Sequence, residues 1–139
     1  MTPKAFVDTN ILVYAHTKSA GSKRERAHRL VEDLWTSGRG VLSTQVLQEL
    51  CFNLQRKLHP SLSADEVRHL IQDYLSWEIV VNDGSSVIQA LEIEQRYRIS
   101  FWDALIIQAA DFCGAAVIYS EDLGHGQKYG SIEVVNPLA

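Results

Sequence analysis

Asp8 stands inside the run Phe-Val-Asp-Thr-Asn-Ile-Leu-Val-Tyr-Ala, where an apolar strand end meets the first turns of a helix. An unpaired carboxylate buried there would cost several kcal/mol, so Asp8 must cap the helix, pair, or bind something. Three further acids matter: Glu49, one to two turns into the helix that leaves the Val41–Ser43 strand, Asp103, in the first turn of a later helix, and Asp122, after a strand end, with Glu121 beside it as a competitor. Each has a plain structural role open to it. Asp8 can cap the following helix. Asp103, three residues after Ser100, can complete a capping box. Glu49 falls off its helix's apolar stripe and can face solvent, and Asp122 can be a turn residue. Gathered together, they would repel one another and take up protons unless a cation compensated. Hard oxygen donors favour Mg²⁺ or Mn²⁺. The five histidines show no paired ligand spacing and the two cysteines, Cys51 and Cys113, lie far apart, so a zinc site is disfavoured. A hydrated Mg²⁺ can activate water and steady a phosphate, chemistry suited to phosphodiester hydrolysis.

The elements that must position these acids alternate. Strands are predicted at residues 5–7, 41–43, 78–81, 115–119 and 132–135, and 123–130, with three glycines, reads as a mobile rim loop. A helix starts near Asn10. Another, Ser22 to Ser37, carries Ala27, Leu30, Val31, Leu34 and Trp35 as one apolar stripe. The third runs from about Thr44 to Leu58, ended by His59-Pro60, and Ser63 with Glu66 forms a capping box for the fourth, which buries Val67, Leu70, Ile71, Tyr74 and Leu75. Two more cover 85–97 and 101–112. Alternation of this kind implies right-handed crossovers and a parallel sheet covered on both faces. The expected fold is α/β, a three-layer sandwich with a central parallel sheet flanked by helices, in a single domain over residues 1–139. Ligands of such sheets sit beyond the carboxyl ends of the strands. Topology alone therefore steers Asp8, Glu49, Asp103 and Asp122 to one rim.

Composition bounds the rest. Hydrophobic residues make up 46% of 139, enough for an adequate core, and no apolar run approaches the ~20 residues needed to span a bilayer. Met1 leads directly into the first strand without a secretory signal, and both cysteines fall in apolar helical patterns, so a cytoplasmic protein with reduced thiols is expected. The net charge of −4 argues against a nucleic-acid partner in bulk, yet the four candidate acids equal that excess. Lys18, Lys23, Arg24, Arg26 and Arg29 form a local basic stripe, a solvated face unless a cleft adjoins it. Trp102 reads as core rather than as a base-stacking residue, and Gly124-His125-Gly126-Gln127 lacks the Lys-Ser/Thr of a P-loop.

The segments FVDTNILVYA, STQVLQELCFNL, ISFWDALIIQAA and VIYSEDLGHGQ resemble, in order and spacing, the four acidic motifs of PIN-domain ribonucleases, and the resemblance runs nearly end to end. Chains this short look most like VapC-type toxins of toxin–antitoxin pairs. The resemblance implies that Asp8, Glu49, Asp103 and Asp122 coordinate Mg²⁺ or Mn²⁺. It implies that Asn10, Ser43 or Thr44, and Ser120 orient those carboxylates, that RNA is the substrate, and that homodimers are neutralised by a small antitoxin. The fourth motif departs from the common Thr-x-Asp-x-Asp-Phe pattern, because Ser120-Glu121-Asp122-Leu123 lacks the second Asp and the Phe. Two other readings compete. An aspartyl-nucleophile phosphohydrolase would place its nucleophile at Asp8, but the position two residues on is Asn10 rather than an acid. A catalytically silent PIN-like module that binds RNA or protein would have no need of clustered negative charge.

Overall fold

A computed structural model describes residues 3–58 and 60–139. The chain runs β1 (Ala5–Val7), α1 (Thr9–Ala15), a 3₁₀ turn, α2 (Ser22–Ser37), β2 (Gly40–Ser43), α3 (Thr44–Arg56), α4 (Ala64–Tyr74) and β3 (Glu78–Val80). It continues through α5 (Gly84–Tyr97), α6 (Phe101–Cys113), β4 (Val117–Tyr119), β5 (Lys128–Tyr129) and β6 (Ile132–Val135). The sheet order is β3-β2-β1-β4-β6-β5, parallel except for β5. Successive crossovers first build outward from β1 through β2 to β3, then return to the other side of β1 with β4. The switch point of the sheet therefore lies between β1 and β4, where a parallel α/β sheet opens a crevice.

Burial follows from that order. Ala5, Phe6 and Val7 of the central strand are fully buried, as expected for a strand covered on both faces. Ile11, Leu12, Leu34, Leu42, Leu50, Leu54 and Ile118 complete the innermost layer. Ser63 and Glu66 form the expected capping box of α4, satisfying two N–H groups reciprocally.

An aromatic cluster closes the β2 side. Trp77 meets Tyr74 and Trp35 with ring centroids 5.4 Å from each. Gly40, at the start of β2, lies under the Trp77 indole, and a Cβ there would come within 2.4 Å of the ring. Because the indole is wedged against two other rings, Gly40→Ala should cost about 1–3 kcal/mol by overpacking, read as a lowered urea midpoint at unchanged slope.

His16, the C-cap of α1, is half-buried with its Nε2 hydrogen bonded at 2.8 Å to the Tyr74 hydroxyl. Burial, assisted by the neighbouring His28 and Arg24, lowers its pKa from 6.5 to about 4. The unfolded chain thus takes up this proton before the folded one, and stability should fall by about 3 kcal/mol as pH drops from 6.5 to 4. His16→Gln, which keeps a polar partner for Tyr74, should remove this acid limb from urea titrations recorded across that range.

Several sequence expectations need correction. Segment 123–130 is a loop over 123–127 only. It contains the edge strand β5, turns through Gly130 (φ 63°), and pairs antiparallel with β6. Gly126 N–H donates to the Val134 carbonyl, and Asn136 N–H donates to His125 Nδ1. A two-residue strand is too short to leave a periodic signature. Trp35 and Leu75 are exposed rather than buried, because each lies at the margin of its helix's apolar stripe. Both cysteines are free and half-buried rather than fully buried. Helix α3 ends at Arg56, two residues before the expected Leu58. Met1, Thr2 and His59 lie outside the described residues.

Candidate active site

Asp8 follows β1 directly, and its N–H donates to the Tyr119 carbonyl at the end of β4, so the two strand ends are locked together. Its carboxylate is buried. Oδ1 accepts from the Thr9 N–H at 2.7 Å, making Asp8 the N-cap of α1, and Oδ2 accepts from Ser120 Oγ at 2.8 Å. The capping role and a place in the acid group are therefore both realised by one side chain. Burial pushes its pKa up to about 6, against hydrogen bonds from Ser120 and Thr9 that pull it down, with Glu49 and Asp122 adding repulsion.

The other acids reach the same place from separate elements. Glu49, in α3, is half-buried rather than solvent-facing, and its Oε1 accepts from Thr9 Oγ1 at 2.7 Å. Asp103 lies in the first turn of α6, where Ser100 Oγ accepts its backbone N–H while the carboxylate faces the cavity. Asp122, exposed, follows β4, and its Oδ2 accepts from Asn10 Nδ2 at 3.0 Å. Asp8, Glu49, Asp103, Glu121 and Asp122 all line one cavity of about 560 Å³.

Asn10 spaces this group. Its Nδ2 also donates to Asp8 Oδ2 at 3.3 Å, and its Oδ1 accepts from the Glu121 N–H at 3.1 Å. Ser120 Oγ accepts from the Asp122 N–H at 3.1 Å while donating to Asp8. Asn10 and Ser120 thus tie the β1 and β4 acids to one another. Ser43 and Thr44 do not join them: Ser43 caps α3 through the Val46 N–H, and Thr44 donates to Asn82 Oδ1. Thr9 takes the orienting role for Glu49. It sits inside the Asp-Thr-Asn motif, so its position was visible in the sequence even though its partner was not. Trp102 is also misplaced by the sequence reading: 63% exposed, it lines the cavity instead of the core.

Glu121 and Asp122 differ in their surroundings. Glu121 Oε1 accepts from the Tyr14 hydroxyl at 2.8 Å and Oε2 from Lys23 Nζ at 2.7 Å, and the Lys23 ammonium beside it holds its pKa low. Both Glu121 oxygens are thereby engaged. Of the basic stripe, Lys23 reaches this rim, whereas Arg26 donates to the Leu138 carbonyl near the chain end.

Among the described residues no three acidic, histidine or cysteine side chains close into a ready-made metal cage. The acids converge on a cavity but stand apart. Mg²⁺ keeps several waters and is held by one or two carboxylates at a time, so such a site does not require a closed protein cage. The donor set is carboxylate oxygen, and a cation would relieve the buried, repelled Asp8 carboxylate. The residues present therefore fit Mg²⁺ or Mn²⁺.

Taken together, the chain is a mostly parallel α/β domain with acids from four segments gathered at its switch point. Residues 5–129 match the PIN domain, and the chain belongs to that family. Its fold is shared with a toxin–antitoxin complex from Klebsiella pneumoniae (TM-score 0.72, 16% identity, covering 96% of this chain and 98% of that one). It is shared too with VapC20 of Mycobacterium tuberculosis, a sarcin-ricin loop cleaving toxin (TM-score 0.67, 21% identity, 86% and 90% covered). A DNA-bound VapBC from Salmonella typhimurium superposes with TM-score 0.65 at 19% identity, covering 96% of this chain and 97% of that one. No curated protein sequence matches the chain. No described helix is long and apolar enough to cross a membrane.

Proposed function

We propose that this protein is a divalent-metal-dependent endoribonuclease that hydrolyses RNA phosphodiester bonds, and that it is the toxin of a VapBC-type toxin–antitoxin pair. The observation that carries the reading is the convergence of Asp8, Glu49, Asp103 and Asp122 on one cavity at the β1–β4 switch point. Asp8, Glu49, Asp103 and Asp122 would hold Mg²⁺ or Mn²⁺, with Asp122 preferred over Glu121 because Glu121 is already occupied by Tyr14 and Lys23. When bound, the ion supplies Lewis acidity toward phosphate oxygens and lowers the pKa of water. The chain's own residues position it. Ser120 and Asn10 fix Asp8, Thr9 fixes Glu49, and Lys57 lines the cavity wall as a cation for a phosphate.

The solved structures that share the fold include toxin–antitoxin complexes, which supports an antitoxin as partner. VapC20, as a sarcin-ricin loop cleaving toxin, supports RNA as substrate. Purified protein incubated with cellular RNA and Mg²⁺ or Mn²⁺ should release discrete fragments. Asp103→Asn should release none while keeping its far-UV circular dichroism. Fragments produced equally by Asp103→Asn would remove the acids from the chemistry, and their absence with every divalent ion would end the ribonuclease reading.

A further inference from the structure

Two large aromatic side chains stand in solvent beside the acid cavity. Trp102, 63% exposed, lines that cavity next to Asp103, and Phe52, 54% exposed, stands one turn along α3 from Glu49. The Phe52 ring borders a second hollow of about 350 Å³, whose walls share Glu49, Asn53 and Lys57 with the acid cavity. The two hollows therefore adjoin, a trough in two parts with Glu49, Asn53 and Lys57 common to both. Arg56 and Lys57 each approach the Phe52 ring, both 5.9 Å from its centroid. The Trp102 backbone is anchored. Gln45, buried, donates its Nε2 to the Trp102 carbonyl at 3.2 Å, and Phe101 packs edge-on to the indole at 5.4 Å. Since a carbonyl can only accept, the Gln45 amide orientation is fixed by this contact.

One exposed ring beside two cations and a second on the wall of the acid cavity match the general design of single-strand binding, in which bases stack on aromatic faces while the backbone tracks positive charge. We propose that Trp102 and Phe52 are base-stacking platforms for unpaired nucleotides of an RNA strand lying along this trough, with Lys57 contacting its phosphate backbone. The inference rests on the ribonuclease reading and adds to it which residues grip the strand and in what state. A base paired in a duplex cannot lie on either ring without leaving its stack, so the trough takes only unpaired nucleotides. A protein segment could also cover two aromatic rings, but Lys57, shared by both hollows, and Arg56 complement a phosphate backbone.

Binding and cleavage are measured separately. The Asp8→Asn protein in Mg²⁺ is titrated with a short, unstructured, fluorescently labelled oligoribonucleotide, and with the same strand annealed to its complement. Adding Trp102→Ala or Phe52→Ala should weaken single-strand binding about 5- to 100-fold each and leave duplex binding unchanged. An abasic site scanned along the strand should weaken binding at one position, and Trp102→Ala should abolish that sensitivity. Lys57→Ala should lower the slope of log K against log salt by about 0.7, the signature of one lost phosphate contact. Unchanged single-strand affinity in both ring variants would overturn the proposal and leave the rings as a protein contact. Equal losses on single strand and duplex would overturn stacking as well. Wild-type cleavage, followed in parallel, separates these outcomes from failure of the ribonuclease reading: cleavage with unaltered ring variants sinks only the platforms.

Discussion

Asp8→Asn is expected to lower the RNA cleavage rate by about 10³-fold and, at the same time, to stabilise the metal-free fold at neutral pH. The first effect follows if Asp8 is a charged ligand, as proposed: a loss of ~4 kcal/mol in transition-state stabilisation corresponds to that factor. The second follows from burial. The Asp8 carboxyl has a pKa near 6 in the folded chain against 3.8 ordinarily, so its ionised form is disfavoured by folding. As pH rises from 3.8 through 6, the folded state gives up this proton later than the unfolded one, and stability declines by about 3 kcal/mol. An Asn keeps the acceptor for the Thr9 N–H and never ionises. The gap between variant and wild type in urea midpoint should therefore be wide at pH 7 and vanish near pH 4. A variant that is inactive but less stable than wild type at both pH values would point to structural damage, not to a lost ligand.

Divalent metal should reverse the same penalty. A cation that binds the folded chain alone stabilises it by about 2.7 kcal/mol at a hundredfold excess over its dissociation constant. Wild-type protein should gain that much when Mg²⁺ or Mn²⁺ is added after chelation, and RNA cleavage should stop with chelator and return with the ion. The double variant Asp8→Asn/Asp103→Asn should show no metal-dependent shift, whereas Glu121→Gln should respond nearly as wild type does, because Tyr14 and Lys23 already occupy that carboxylate. Thermal denaturation with and without chelator reads all three. A wild-type midpoint indifferent to either ion would remove the cation from this cavity. A Glu121→Gln protein that loses its response would move the fourth ligand position from Asp122 to Glu121.

Asp8, Asp103 and Asp122 were locatable from sequence because each follows a short apolar strand or opens a helix, and strand ends share one edge of a parallel sheet. Their convergence needed no knowledge of side-chain contacts. Glu49 was harder: helical spacing placed it off the apolar stripe, and only the Thr9 hydroxyl, reaching across from α1, shows why it is half-buried. Ser43 and Thr44 misled because a polar pair ending a strand serves a helix cap or a loop tie as well as it serves a neighbouring acid. Trp102 misled for a related reason. At helix starts the apolar period is not yet established, so a tryptophan there can turn either way. The β5–β6 hairpin was invisible because two residues cannot express a period of two.

The two borders of the sheet are both short. At one side β5 contributes two residues, and at the other β3 contributes three, with the exposed Glu78 paired to Lys4, which precedes β1. A neighbouring molecule seeking to extend the ladder would find few free backbone groups, which discourages edge-to-edge growth. Fibril-like association through the sheet is thereby suppressed. Crowded or overexpressed protein should then gather through its exposed apolar helix faces, around Ile88, Leu91 and Phe112, rather than by strand addition.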